Sequence, residues 1–191
     1  MRIIGGSAGG LLLKVPKGYS VRPTPDLVRQ AIFNSLAGRV AGARVLDLFS
    51  GSGALGLECL SRGAASVLSV EKSSRHAAII RQNLEAIHLP AENFELRTQD
   101  VAAAIGQLAT EGRVFELILA DPPFGEKNID RRSTSFTQQL LDDARLPHLL
   151  AENGLFVLGH TKRDTLSLTS WWHESKIMKH GDSMMRFLQK A

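Results

Sequence analysis

Asp121-Pro122-Pro123-Phe124 is a tetrad suited to chemistry on an amino group. An exocyclic amine on a nucleobase is a poor nucleophile, because its lone pair is delocalised into the ring. A carboxylate at a strand end can accept one of its N–H bonds while the Pro122 carbonyl accepts the other, drawing the nitrogen towards tetrahedral geometry. Two consecutive prolines hold φ near about −65° and remove two backbone donors, which leaves a stiff loop presenting acceptors. Phe124 offers a flat apolar face to an extruded base, and such stacking is worth roughly 1–3 kcal/mol per base. A strand ending in a Pro-Pro turn with one core Phe would read the same way, so a second element has to decide.

That element is Arg44 to Gly56, RVLDLFSGSGALG: an apolar strand, an acid at Asp47, then Gly51, Gly53 and Gly56 leading into the helical pattern Leu55, Leu57, Cys59, Leu60. Such glycines permit a tight turn and a close ligand, and the helix that follows supplies free N–H groups. The spacing also satisfies the dinucleotide fingerprint, with Glu71 where that fingerprint places its acid, so a nicotinamide dehydrogenase competes. Three acids favour S-adenosylmethionine instead. Asp47 stands at the strand–turn junction, where it would repel a pyrophosphate and attract an ammonium and a sulfonium. Glu71 ends the second strand, placed to hold two ribose hydroxyls. Asp100 ends a third apolar stretch and either accepts from an adenine amino group or simply caps the next helix.

The elements that must position these groups alternate. The pattern gives strand 45–49, helix 53–62, strand 66–71, helix 74–87, strand 94–98, helix 100–110 and strand 115–120, then a helix near 134–150 and a strand at 154–159. This order predicts an α/β fold with a mostly parallel sheet and helices on both faces. Right-handed crossovers bring the carboxyl ends of the first and fourth strands together, so Gly51 and Asp121 should share one crevice. Residues 171–179 and 184–188, joined by Gly181-Asp182, read as an antiparallel hairpin. At the other end, 2–4 and 11–15 read as a short hairpin, and Thr24 as the cap of a helix with Pro25 at its first position. The expected division is an N-terminal extension over 1–40 and a cofactor-binding domain over 41–191.

These motifs resemble the class I S-adenosylmethionine-dependent methyltransferases, and more closely the RsmD-type guanine-N2 methyltransferases of small-subunit (16S) ribosomal RNA. The resemblance rests on Arg2-Ile-Ile-Gly-Gly6, Arg22-Pro-Thr-Pro-Asp26 with Val28-Arg29 and Phe33-Asn34, the Asp47–Glu58 segment, Ser61-Arg-Gly-Ala64, Glu71, Asn83-Leu84 and the Asp121 tetrad. It implies a Rossmann-like, seven-stranded sheet. It implies a cofactor site of Asp47, Phe49, Gly51, Ser52, Gly53, Glu71, Lys72, Asp100 and Val101, with S-adenosylhomocysteine as product. The tetrad Asp121, Pro122, Pro123 and Phe124 would be catalytic, and Arg2, Arg22, Thr24 and Arg29 would contact RNA. The implied partner is ribosomal RNA in the small subunit or its assembly intermediates. The chain departs from the family at Gly9-Gly10-Leu11, where a basic run is usual, and at Leu27, where the family carries Arg. An N6-adenine methyltransferase acting on RNA or DNA would use the same tetrad, and a non-catalytic RNA-binding assembly factor could keep the fold. A protein-glutamine methyltransferase would show Asn where Asp121 stands.

Bulk properties bound the class. The chain of 191 residues is long enough for one sizeable core and shows no linker or repeat. One cysteine, Cys59, excludes an intrachain disulfide framework and reads as a core thiol rather than a nucleophile. The six histidines show no metal spacing, and no metal is expected. A signal-peptide h-region and an apolar span of membrane length are both missing from the text, so a cytoplasmic monomer is expected. The formal charge of +4 is compatible with nucleic acid without requiring it. Its distribution is more pointed: Arg2, Lys14, Lys17, Arg22, Arg29 and Arg39 face only Asp26 within residues 1–40, which marks that segment as RNA-facing.

Overall fold

The computed structural model describes residues 1–16, 25–123 and 132–191. Its centre is a parallel sheet, because the strands are apolar along their whole length and must be covered on both faces. In β1 (Arg44–Leu48) every residue after Arg44 is buried, and β4 (Phe115–Ala120) is buried at all positions but Glu116. With β2 (Ser66–Val70), β3 (Phe94–Arg97) and β5 (Leu150–Thr161) they form five parallel strands. The antiparallel hairpin β6 (Trp172–His180) and β7 (Ser183–Lys190) completes seven strands in the order β3-β2-β1-β4-β5-β7-β6.

Alternate side chains feed two cores. Leu46, Leu48, Ile118, Phe156 and Leu158 pack on one face against α4 (Val101–Thr110), α5 (Phe136–Asp142) and α6 (Leu146–Leu149). Val45, Leu117, Leu119 and Val157 pack on the other against α1 (Asp26–Leu36) and α2 (Ala54–Ser61). On α1 the buried Val28, Ile32, Phe33 and Leu36 recur at helical spacing, which is what seats that helix on the sheet. Cys59 is fully buried in this second core, and burial pushes its thiol well above the usual range. α3 (Ser74–Ala86) covers the β2 side and is capped by Ser73. No helix among the described residues is long and apolar enough to cross a membrane.

Three expectations are corrected. The helix expected near 134–150 is two helices, because Asp143 leaves helical geometry (ψ 103°) and its carboxylate takes the Arg145 N–H at 3.0 Å. Pro147, without an N–H, then opens α6. β5 starts at Leu150 rather than 154, since a register shift opposite Phe115–Leu117 absorbs the polar residues 151–154 inside the strand. Pro25 is the N-cap of α1 rather than its first residue, with no side-chain cap bond, while Thr24 lies outside the described residues.

Residues 1–16 form the expected N-terminal hairpin, bridged at Arg2 and Leu12, and lie against α2 and α3. Glu58, fully buried on α2, accepts from Ile4 N–H at 2.7 Å and Gly5 N–H at 2.9 Å, and also pairs with Arg62 at 2.7 Å. Gly6 has φ +79° and a Cβ there would sit 2.0 Å from the Ser61 carbonyl oxygen, so only glycine lets the arm approach this closely. Asn83 on α3 closes the other end: its Oδ1 accepts from Lys14 N–H, and its Nδ2 donates to the Lys14 and Ser52 carbonyls. Glu58→Ala should therefore cost about 3 kcal/mol of stability. Hydrogen exchange should rise across residues 1–16 while the β1 and β4 amides stay protected; uniform exchange over the whole chain would contradict this local tether.

Candidate active site

The carboxyl ends of β1, β2 and β4 open on one cavity of about 220 Å³. Its walls include Asp47, Phe49, Gly51, Ser52, Glu71, Lys72, Asp100 and Val101, which is every expected cofactor residue except Gly53, together with Asp121 and Pro123 of the tetrad. The adjacency expected from the crossovers is present: β1 is hydrogen-bonded to β4, with Leu48 opposite Ala120. Pro122 is buried behind this wall, and Phe124 lies outside the described residues.

The glycine turn is shaped by its own hydrogen bonds. Ser50 N–H donates to the Val70 carbonyl and Gly53 N–H to the Ser50 carbonyl at 2.7 Å, bending the chain from β1 into α2. Gly53 has φ +80°, which a side chain would strain. Gly56 serves closeness: a Cβ would lie 2.8 Å from Ser69 Oγ and 3.0 Å from Asp47 Oδ2, so its absence lets α2 settle on the acid. Phe49 itself holds φ 59°, a conformation that costs a non-glycine residue on the order of 1–3 kcal/mol and tends to cluster at functional sites.

Each acid has a distinct electrostatic setting. Asp47 is 1% exposed; its Oδ2 accepts from Gly56 N–H at 3.2 Å and Ser69 Oγ–H at 3.4 Å, and its Oδ1 has no hydrogen-bond partner. Burial pushes its carboxyl up to about 7, against the pull of its hydrogen bonds. Glu71 is buried, with Oε2 accepting from Gly51 N–H and Oε1 from Ser73 N–H, both at 2.8 Å. This pins the first loop to the second and leaves each oxygen a further lone pair for a hydroxyl. Asp100 resolves as the cap of α4, accepting from Ala102 N–H at 3.0 Å, while also lining the cavity. Its ion pair with Lys72 at 3.1 Å is the main cause that holds its carboxyl below the usual range.

At the catalytic end, Asp121 sits against Gly159 of β5. A Cβ on Gly159 would lie 2.3 Å from Asp121 Oδ1 and 3.3 Å from Met185 Cε. Sequence reasoning missed this glycine, because its meaning depends on a strand pairing. It also missed Phe136, which opens α5, lines the cavity 46% exposed and packs on Phe49 at 5.5 Å between ring centroids. Met1, Val15 and Pro16 of the N-terminal arm line the wall too.

The expected RNA contacts divide. Arg2 is exposed and lies 3.5 Å from Asp26, whereas Arg22 and Thr24 fall outside the described residues. Arg29 is a correction: its side chain is 0% exposed and lines the cavity, so it offers no surface charge to a phosphate backbone. The residue type and its basic neighbourhood suggested a surface; the apolar spacing of Val28, Ile32 and Phe33 carries it inward instead. Among the described residues, no group of three or more His, Cys, Asp or Glu is placed to hold a metal ion.

A family model described as conserved hypothetical protein 95, the RsmD family, matches residues 1–189. The chain belongs to this family. YlbH of Bacillus subtilis is 34% identical over 169 residues, covering 88% of this chain and 87% of that protein. Ribosomal RNA small subunit methyltransferase D of Escherichia coli K12 is 40% identical over 124 residues, 65% of this chain and 60% of that protein. The solved structure of YhhF from Escherichia coli matches with a TM-score of 0.77 at 31% identity, covering 100% of this chain and 97% of that one. The family thus carries the class I methyltransferase fold, with its mostly parallel sheet and antiparallel final hairpin.

Two outcomes test the site. Asp47 keeps its proton in the folded protein up to about pH 7, whereas the unfolded chain releases it near 3.8, so raising the pH between these values weakens the native state. Asp47→Asn should match the wild type in ligand-free urea unfolding at pH 4 and exceed it at pH 8, by at most about 4 kcal/mol. A gain that shrinks with rising pH would refute the assignment. Gly159→Ala should displace Asp121 and lower kcat on the order of 100-fold, since small misplacements of reacting groups cost that much. Cofactor affinity should hold; unchanged turnover would show that the contact with Asp121 is not needed.

Proposed function

We propose that the protein transfers a methyl group from S-adenosylmethionine to the exocyclic N2 of a guanine in small-subunit ribosomal RNA, releasing S-adenosylhomocysteine. The observation that carries this reading is the single cavity in which Glu71 and Asp47 meet Asp121 and Pro123 across adjacent strands. Family membership and the name of the 40% identical Escherichia coli relative support the substrate class. The dehydrogenase alternative loses ground on two details. Gly51 N–H is already taken by Glu71, and a pyrophosphate at this turn would meet two buried carboxylates.

The chemistry asks little of the protein beyond alignment and electrostatics, because the sulfonium is already activated. Glu71 accepts from the ribose hydroxyls and Asp100 with Val101 borders the adenine. Asp121 and the Pro122 carbonyl accept the two N–H bonds of the amine and turn its lone pair towards the methyl group, while Phe124 stacks the base. The nitrogen attacks the methyl carbon in line with the departing sulfur; the C–S bond breaks as the C–N bond forms, and the resulting ammonium gives up a proton. The base must be unpaired or flipped to reach the site. Phe136, beside Phe49, extends the aromatic wall available to it.

RNA reaches the site along the N-terminal arm, where Arg2, Arg22 and Thr24 supply contacts. With Gly9 and Leu11 in place of basic residues, phosphate contacts are few and recognition depends on shape, as in a folded particle. The protein works in this reading as a cytoplasmic monomer on assembled or assembling subunits. Incubation with labelled S-adenosylmethionine, followed by nucleoside analysis, should give N2-methylguanine on unmodified small subunits and much slower reaction on protein-free RNA. Asp121→Ala should abolish the product with cofactor affinity nearly intact. N6-methyladenine as the product would assign the tetrad to adenine, and binding of RNA without any turnover would make the protein an assembly factor.

A further inference from the structure

Two fully buried charged side chains face the same cavity with polar atoms unsatisfied, and they are opposite in sign. Arg29 on α1 donates from Nη2 to the Arg2 carbonyl at 2.5 Å and to Asp26 Oδ1 at 2.9 Å, while its Nε and Nη1 have no hydrogen-bond partner. Asp47 at the end of β1 leaves Oδ1 without one. Both line the cavity. Buried polar groups are nearly always satisfied, so a pair left bare on a cavity wall marks where a ligand supplies the missing partners. A bare donor beside a bare carboxylate fits a group that carries one negative and one positive charge together.

We infer that Arg29 and Asp47 form a dipolar clamp for the α-amino-acid end of the cofactor, with Arg29 holding the carboxylate and Asp47 the ammonium. The inference rests on the S-adenosylmethionine reading and assigns to Arg29 a part in cofactor selection. The position of Arg29 supports this end of the ligand. Its guanidinium is fixed to Arg2 and feels the charge of Glu58 on α2, which places it on the glycine-turn side of the cavity. Met1, whose sulfur lies 3.6 Å from Ser52 Oγ, lines the wall there as well. The adenosine end is accounted for by Glu71, Asp100 and Val101 around the loops after β2 and β3. The acceptors on Arg29, Asp26 and the Arg2 carbonyl, hold the guanidinium from one nitrogen and keep the other two for the ligand.

Calorimetry with three ligands separates the clamp from the site as a whole: S-adenosylhomocysteine, its decarboxylated analogue, and methylthioadenosine, which lacks the amino-acid end. The wild type should prefer S-adenosylhomocysteine over the decarboxylated analogue by 10-fold or more, as expected for a charge-assisted contact. In Arg29→Met that preference should fall to about 3-fold or less, through weaker binding of S-adenosylhomocysteine alone, with the other two ligands bound as before. Arg29→Lys, which keeps the charge, should retain part of the preference and carries the comparison if the Met variant does not fold. A preference unchanged in either folded variant overturns the clamp, as does an equal loss for all three ligands, which would mark Arg29 as structural. Failure of the wild type to bind any of the three would instead sink the cofactor reading itself.

Discussion

The site depends on the level at which three parallel strands end. Leu48 is paired with Val70 on one side and with Ala120 on the other, so the next residues, Phe49, Glu71 and Asp121, leave the sheet at one height. In a parallel sheet a one-residue slip would turn every side chain to the opposite face, and here it would bury polar groups in two apolar cores. The pairing is thus held by Leu46, Leu48, Ile118 and their neighbours, far from any ligand. Hydrogen bonds from Glu71 to Gly51 and Ser73 then convert this shared level into a fixed distance between loops.

Much of that arrangement was legible in the text of the chain. Long apolar runs ending in Asp47, Glu71 and Asp121 betrayed parallel strands and their carboxyl ends, and the Gly51–Gly56 spacing betrayed the turn. What escaped reading has a physical pattern. Residues 151–154 are polar yet lie within β5, because a bulge carries them where periodicity breaks. The break between α5 and α6 needed Asp143 to bond its own neighbour, a local competition that composition does not reveal. Arg29 looked like surface because arginine usually is, while Gly159 and Phe136 acquire a role only through partners distant in sequence.

The ligand-free crevice is a place of unrelieved cost. Phe49 holds a left-handed backbone, Asp47 is stripped of water, and Arg29 is buried with two nitrogens bare. None of these helps the chain fold. Sites of this sort trade stability for preorganisation, because groups already aimed at a ligand need no rearrangement when it arrives. The surrounding apolar cores, and the clasp of Glu58 and Asn83 on residues 1–16, make that trade affordable.

The order of the last two strands sets a schedule for the growing chain. β7 lies between β5 and β6, so the strand synthesised later occupies the inner position. Until it has left the ribosome, the outer edge of β5 exposes an unpaired row of backbone groups around Phe156, Val157 and Leu158, a template for joining to other chains. β6 cannot cover that edge, since in the finished protein it touches only β7. The cofactor half of the sheet can form during translation, whereas the strand behind Asp121 remains open-sided until synthesis has passed residue 190.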